Sequence, residues 1–277
     1  MDELNQEQLN QILTRLKQDT KIQIIRGVLD FTRKPTLFNS KLGGIPYWPT
    51  DVAYPRTTDG KPLALLAQLN CAGLPLTTEL TSILPNQGML QFFILPDELY
   101  GMDFDNQTNQ NRFRVIYHPT VDYDVKPLSR IPNSLELEDF PVNGSILLEP
   151  TIYFDSANPL QYDFKEHFVR AATELSIELP VDFSLYDVLP DDMWEELLKN
   201  AAGHKILGYP FFTQSDPREN RRYANYDTLL LQIDSDYDRH RRENVLFGDC
   251  GIANFFINRE KLKQRDFSDV LYNWDCY

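Results

Sequence analysis

The chain has 277 residues, 42% hydrophobic and 25% charged, a composition that excludes a disordered or fibrous protein. Its 27 Lys and Arg face 41 Asp and Glu, giving a formal net charge of −14. That field repels phosphate backbones, which disfavours nucleic acid, and it attracts basic proteins or cations.

In chain order, the opening MDELNQEQLN lacks the basic and apolar regions of a signal peptide. Leu9, Ile12, Leu13 and Leu16 recur at i, i+3, i+4 and i+7 and predict an amphipathic helix over about 4–18. KLGGIPYW at 41–48, LLAQLN at 65–70 and GMLQFFI at 88–94 read as short strands bounded by Gly, Pro and Asn. A polar stretch, DNQTNQNR at 105–112, precedes FRVIYH at 113–118, and SILLEPTIYF at 145–154 is a further strand. Helices are predicted over about 165–179 and 191–202, the second with Pro190 and two aspartates at its start and Gly203 at its end. The strand pattern then returns as KILGYPFF at 205–212, LLLQID at 229–234, GIANFFI at 251–257 and DVLYN at 269–273. Gly88 and Gly251 are expected in positive-φ turns at strand entry.

The first two pairs of blocks stand 164 positions apart and the third 163. Extended to Phe104, the three blocks hold 13 identities in 31 positions, where composition alone gives about two. The expected architecture is a single domain over 1–277, α+β and β-rich, with two pseudo-equivalent halves at about 20–160 and 185–277 and a few peripheral helices. No apolar run nears the roughly 20 residues that cross a bilayer. Cys71, Cys250 and Cys276 are odd in number and far apart, which suits reduced thiols. A cytoplasmic protein without membrane contact is expected.

Alternation splits each strand into an apolar face and a face that carries an amide in mid-strand: Gln68, Gln91, Gln232 and Asn254. β-Propensity gives no reason to favour an amide there. In one reading the amides satisfy loop backbone or each other and hold the register. In the other, the halves face one another and Gln68, Gln91, Gln232, Asn254 and Asp234 line a shared groove for a ligand or peptide strand. Tyr47 and Trp48 form either a rigid aromatic turn or an anchor for a partner.

No residue set announces a reaction. Cys250 follows Asp249, whose charge opposes thiolate formation. The four histidines are dispersed, with neither HExxH nor Cys-x-x-Cys, so no metal and no cofactor are expected. Asp234, Asp236 and Asp238 open like a calcium loop, but its sixth position is Arg239 and its twelfth Val245. The basic islands DRHRR at 238–242 and Arg218, Arg221 and Arg222 have aspartates nearby to pair with.

Taken together, SKLGGIPYWP, the LLAQLN and GMLQFFI pair, YGMDFD, LLLQIDSD, FGDCG, FFI and RDFSDVLYNWDC resemble the YwqG-like family, a bacterial domain of unknown function. The resemblance runs from about Ser40 to the C-terminus and is weakest over 120–200. It implies a cytoplasmic bacterial α+β protein of two similar halves, and no activity, cofactor or catalytic residue. Some members are encoded near contact-dependent or secreted toxin systems, which implies an immunity or interaction role by association. The expected function is a non-catalytic protein-binding module for a protein partner of basic character, with Tyr47 and Trp48 as anchors. The alternative is an enzyme or small-molecule receptor that uses the polar groove, with Asp234 and Asp103 as its carboxylates.

Overall fold

A computed structural model describes residues 4–128, 140–238 and 240–277. Arg239, the sixth position of the aspartate-rich loop, lies outside them.

Helix α1 (Gln6–Asp19) is opened by Asn5, whose side chain accepts from Gln8 N while Gln8 Oε1 accepts from Asn5 N. The predicted stripe, Leu9, Ile12, Leu13 and Leu16, is its buried face. Then come β1 (Ile22–Asp30), β2 (Lys41–Gly43), β3 (Ala64–Asn70), α2 (Thr78–Thr81), β4 (Met89–Ile94) and β5 (Phe113–His118). After β6 (Val142–Asn143) and β7 (Ser145–Asp155) the chain forms α3 (Phe164–Glu174), α4 (Leu185–Val188) and α5 (Asp191–Leu198). It closes with β8 (His204–Ile206), β9 (Thr228–Asp234), β10 (Asn244–Val245), β11 (Ile252–Ile257), α6 (Arg259–Lys263) and β12 (Val270–Asp275). Helix α3 stops earlier than its apolar pattern suggests, because Ser176 turns to φ 57° and Ile177 N bonds back to Ala172 O.

Ten strands make one antiparallel sheet in the order β12-β11-β9-β8-β1-β7-β2-β3-β4-β5. β1 and β7 pair at its centre from Ile22↔Asp155 to Asp30↔Leu147. Outward from them the order is β8-β9-β11-β12 on one wing and β2-β3-β4-β5 on the other. Each central strand hydrogen-bonds the wing that lies further along or back in the chain: β1 pairs β8, and β7 pairs β2. The registers also correspond, since β3 bulges at Leu66 and β9 at Leu230, positions 164 apart.

The sheet curls until the apolar faces of its wings meet. Phe92 lies 5.0 Å from Phe255 between ring centroids, and Phe113 lies 5.2 Å from Tyr272. The polar stretch 105–112 covers the seam between the edge strands β5 and β12. Gln107 O accepts from Tyr272 N, Gln107 Nε2 donates to Asn273 Oδ1, and Gln110 Oε1 accepts from Val115 N while its Nε2 donates to Phe267 O. Edge groups that would otherwise template aggregation are thus occupied. A second apolar cluster, with Leu9, Ile12, Phe164, Phe168, Met193 and Leu197, joins α1, α3 and α5.

Gly88 has the expected positive φ, 85°, and a Cβ there would stand 2.4 Å from His118 O. Gly251 does not. Cys250 takes the left-handed turn at φ 55°, and Gly251 is required because a Cβ would lie 2.1 Å from Asp275 O. Among the described residues no helix is long and apolar enough to cross a membrane.

Candidate functional site

The mid-strand amides are wholly buried, and in each wing they hold the loop that crosses the outer face of the sheet. Gln68 Oε1 accepts from Tyr47 N (2.8 Å) and Gln91 Nε2 (2.9 Å), and Gln68 Nε2 donates to Leu37 O and Asn39 O. Gln91 Nε2 also donates to Tyr47 O (2.7 Å). In the other wing Gln232 Oε1 accepts from Phe211 N (2.8 Å), and its Nε2 donates to Ala201 O and Gly203 O. Asn254 Nδ2 donates to Phe211 O (2.8 Å). The partners Leu37, Asn39 and Tyr47 stand 164 positions from Ala201, Gly203 and Phe211.

The shared-groove expectation is corrected by this burial. The amide nitrogens are spent on loop backbone and are closed to solvent, and Asn254 Oδ1, which has no partner among the described residues, is buried with them. Asp234 does not join them in a groove either: its Oδ2 accepts from Gly203 N and its Oδ1 from Ser235 N, and burial holds its carboxyl above the ordinary range. Asp103 caps its own loop through the N–H groups of Asp105 and Asn106. Trp48 is 3% exposed, donates its indole N–H to Val52 O, and packs edge-on against Phe93 and His118. Tyr47 is buried as well. As anchors for a partner both are corrected, because their rings are part of the interior.

The wings differ where Tyr54 of one meets its counterpart, Arg218, 164 positions on. Tyr54 sets its ring against Phe93. Arg218 instead lays its guanidinium between Phe256 (4.4 Å) and Tyr162 (5.0 Å), with Nε and Nη2 on the two oxygens of Asp216. Both members of this ion pair are buried. Beside it opens a cavity of about 250 Å³, with Gln161, Tyr162, Asp163, Tyr209 and Arg218 in its walls. Glu79, Asp227 and Arg259 also line it, and all three are exposed.

Gln161 is 5% exposed; its Nε2 donates to Asp163 Oδ1 (2.5 Å), and its buried Oε1 has no donor. Burial opposes the charge of Asp163, but hydrogen bonds from His167 and Gln161 outweigh it and hold the carboxyl below the ordinary range. Among the described residues no three His, Cys, Asp or Glu converge closely enough to hold a metal ion.

A second feature is a surface over residues 174–198. Glu174, Glu178, Asp182, Asp187, Asp191, Asp192, Glu195 and Glu196 are all exposed there, and this stretch has no Lys or Arg. Arg15 pairs with Glu174 and Lys199 with Glu196, while the other six carboxylates have no ion pair among the described residues. Tyr186 is 77% exposed and stacks on Trp194 at 4.7 Å, and Val181 is 72% exposed. The uninterrupted acidic run was legible in the sequence, but its coincidence with an exposed aromatic was not.

The fold is therefore a mostly β, α+β type: one curled ten-stranded sheet with a few helices beside it. The chain belongs to the family described as Domain of unknown function (DUF1963), which matches residues 40–276. No curated protein matches the chain.

Proposed function

We propose that this protein, whose motifs resemble the YwqG-like family, is a non-catalytic binding module that holds a basic protein partner in the cytoplasm through the surface over 174–198. The exposed Tyr186, stacked on Trp194 in a stretch whose eight exposed carboxylates include six without an ion pair among the described residues, carries this reading. An exposed aromatic ring of fixed orientation supplies contact area at low entropy cost, and the surrounding charge steers a basic surface onto it. A net charge of −14 extends the same attraction over the whole chain. Pairing with a basic toxin, as in an immunity role, is one instance of such a partner. We read the matched registers of the wings as the trace of an internal duplication that supplied the scaffold.

Affinity capture from the native host tests the proposal, comparing the wild-type chain with a Tyr186→Ala, Glu195→Lys double variant. The expected result is a basic protein retained by the first at low salt and lost from the second, with unchanged thermal unfolding. Equal capture by both chains would show that this surface holds nothing.

A further inference from the structure

We infer that the groove along the outer edge of β5 docks an acidic peptide segment in extended conformation. The polar stretch 105–112 covers this edge only in part. Gln110 Oε1 accepts from Val115 N and Gln110 Nε2 donates to Phe267 O, both at 2.9 Å, so one amide spans the gap between β5 and the segment before β12. A peptide unit of an added strand makes the same two contacts, one to each side, which sets the width of the gap at one strand. Beyond Gln110 the gap continues as a groove of about 380 Å³, with Arg114, Ile116, Tyr117, Arg265, Phe267 and Ser268 in its walls. Because Val115 N points away from β4, the two-residue period turns the N–H and C=O of Tyr117 the same way, and neither has a partner among the described residues.

The groove carries charge opposite to that of the whole chain, whose net charge is −14: Arg114 and Arg265 stand in its walls and no Asp or Glu does. Each guanidinium is fixed by main-chain carbonyls and bonds no carboxylate among the described residues. Arg265 donates to Ile83 O, Leu84 O and Leu262 O, and Arg114 to Gln110 O and Arg56 O. The two charges are thus positioned without being neutralised. Nor does the scaffold require a guanidinium at 114. Arg114 stands opposite Phe93 as Leu271 stands opposite Phe256 in the other wing, where Leu271 is buried against Phe212 and Tyr223. Main-chain groups on a strand edge take any extended peptide, and the guanidiniums select one that carries carboxylates. A small anion meets the guanidiniums but leaves the edge of Tyr117 unpaired, so it binds less tightly than a peptide.

NMR titration of the full chain with an acetylated, amidated Thr-Glu-Val-Glu-Thr peptide tests the site. The controls are the same peptide with Lys in place of Glu, the Glu peptide N-methylated at every residue, and glutarate. The Glu peptide is expected to shift the backbone amide signals of Tyr117 and Ser268, and the Lys peptide is not. N-methylation, which removes the backbone donors and keeps the carboxylates, should weaken binding on the order of tenfold or more. Arg114→Leu, which borrows the residue of the other wing, should do the same, with thermal unfolding recorded to show that the variant is folded. The peptide comparisons, run on the wild type, decide the matter should the variant unfold. No shift at Tyr117, equal binding of the Lys peptide, or undiminished binding by a folded Arg114→Leu chain would overturn the assignment. Equal binding of the N-methylated peptide or of glutarate would overturn it too, by showing an anion site that pairs with no strand.

Discussion

Lys41 and Lys205 stand 164 positions apart and do the same backbone work in the two wings. Lys41 Nζ donates to Ile45 O (2.6 Å) and Lys205 Nζ to Tyr209 O (2.5 Å), each fixing the carbonyl four residues on. Their electrostatics differ. Lys205 also meets Asp155 Oδ2 at 3.0 Å, whereas Lys41 has no carboxylate within ion-pair distance among the described residues, and burial pushes its ammonium down to about 8. The position before each lysine repeats the lesson. Ser40 Oγ accepts from Asn70 N, and His204 Nδ1 accepts from Asp234 N. The loop geometry dictates where a donor or acceptor must stand; the charge of that group is left to the neighbours of each wing.

The widest gap between the wings should open at the lysines. Asp155→Asn leaves the buried Lys205 charge without its counter-ion and is expected to cost about 3–5 kcal/mol in urea unfolding. Lys41→Met, which removes a desolvated charge along with its hydrogen bonds, should cost about 1 kcal/mol or less. Equal losses would break the comparison.

Acid should act through the buried histidine of each wing, His204 and His118. Burial lowers His204 to about 4, with nearby Arg26 adding to the shift, against an ordinary value near 6.5. The unfolded chain therefore binds more protons in between, and stability present above about pH 6.5 is lost as pH falls towards 4, by up to about 3 kcal/mol. His118 in the other wing is also lowered by burial, so the wild type alone does not isolate the effect. The variant His204→Ser, which borrows the residue of the first wing, should lose a large share of the acid slope while keeping the acceptor for Asp234 N. An unchanged slope would exclude His204 as its source.

Where the wings agree, so should the variants. Gln68→Leu and Gln232→Leu each orphan one loop N–H and two loop carbonyls, and a loss of about 3 kcal/mol or more is expected from each. Chemical denaturation of both variants checks this, and a difference beyond about 1 kcal/mol would mean that the two loops are held differently.

The amides show how far the residues alone could lead. Alternation placed Gln68 and Gln232 on the face away from the core, but it does not reveal whether that face is covered. Loops around 37–47 and 201–211 cover it, so the groove of the sequence reading is the inside of a clamp. Strand β1 was missed although Ile22, Ile24, Ile25 and Val28 offered a β-branched signal, because it lies outside the echoed blocks and shows no clean period of two. The stretch 105–112 was legible as a polar segment before a strand; its position over the seam depends on the curl of the sheet, which no local pattern encodes. Gln161 and Asp163 stood in the least repetitive part of the chain, and nothing there marked them.

The smallest effect tests the comparison most directly, because it rests on Lys41 alone. Its folded value of about 8 lies below the ordinary 10.5, so between these values the unfolded chain holds more protons and stability rises with pH. The ammonium penalty is relieved as pH climbs, by about 1 kcal/mol from pH 8 to 9. Beyond pH 9 the trend reverses sign for other groups: burial raises the Cys71 thiol to about 12, so unfolding is favoured as the exposed thiol of the unfolded chain ionises. The informative quantity is therefore the difference between wild type and Lys41→Met over pH 8–9. A rise present in the wild type and absent from the variant places an uncompensated ammonium in the first wing; parallel curves would mean that this lysine finds a counter-charge after all, and the contrast with Lys205 would vanish.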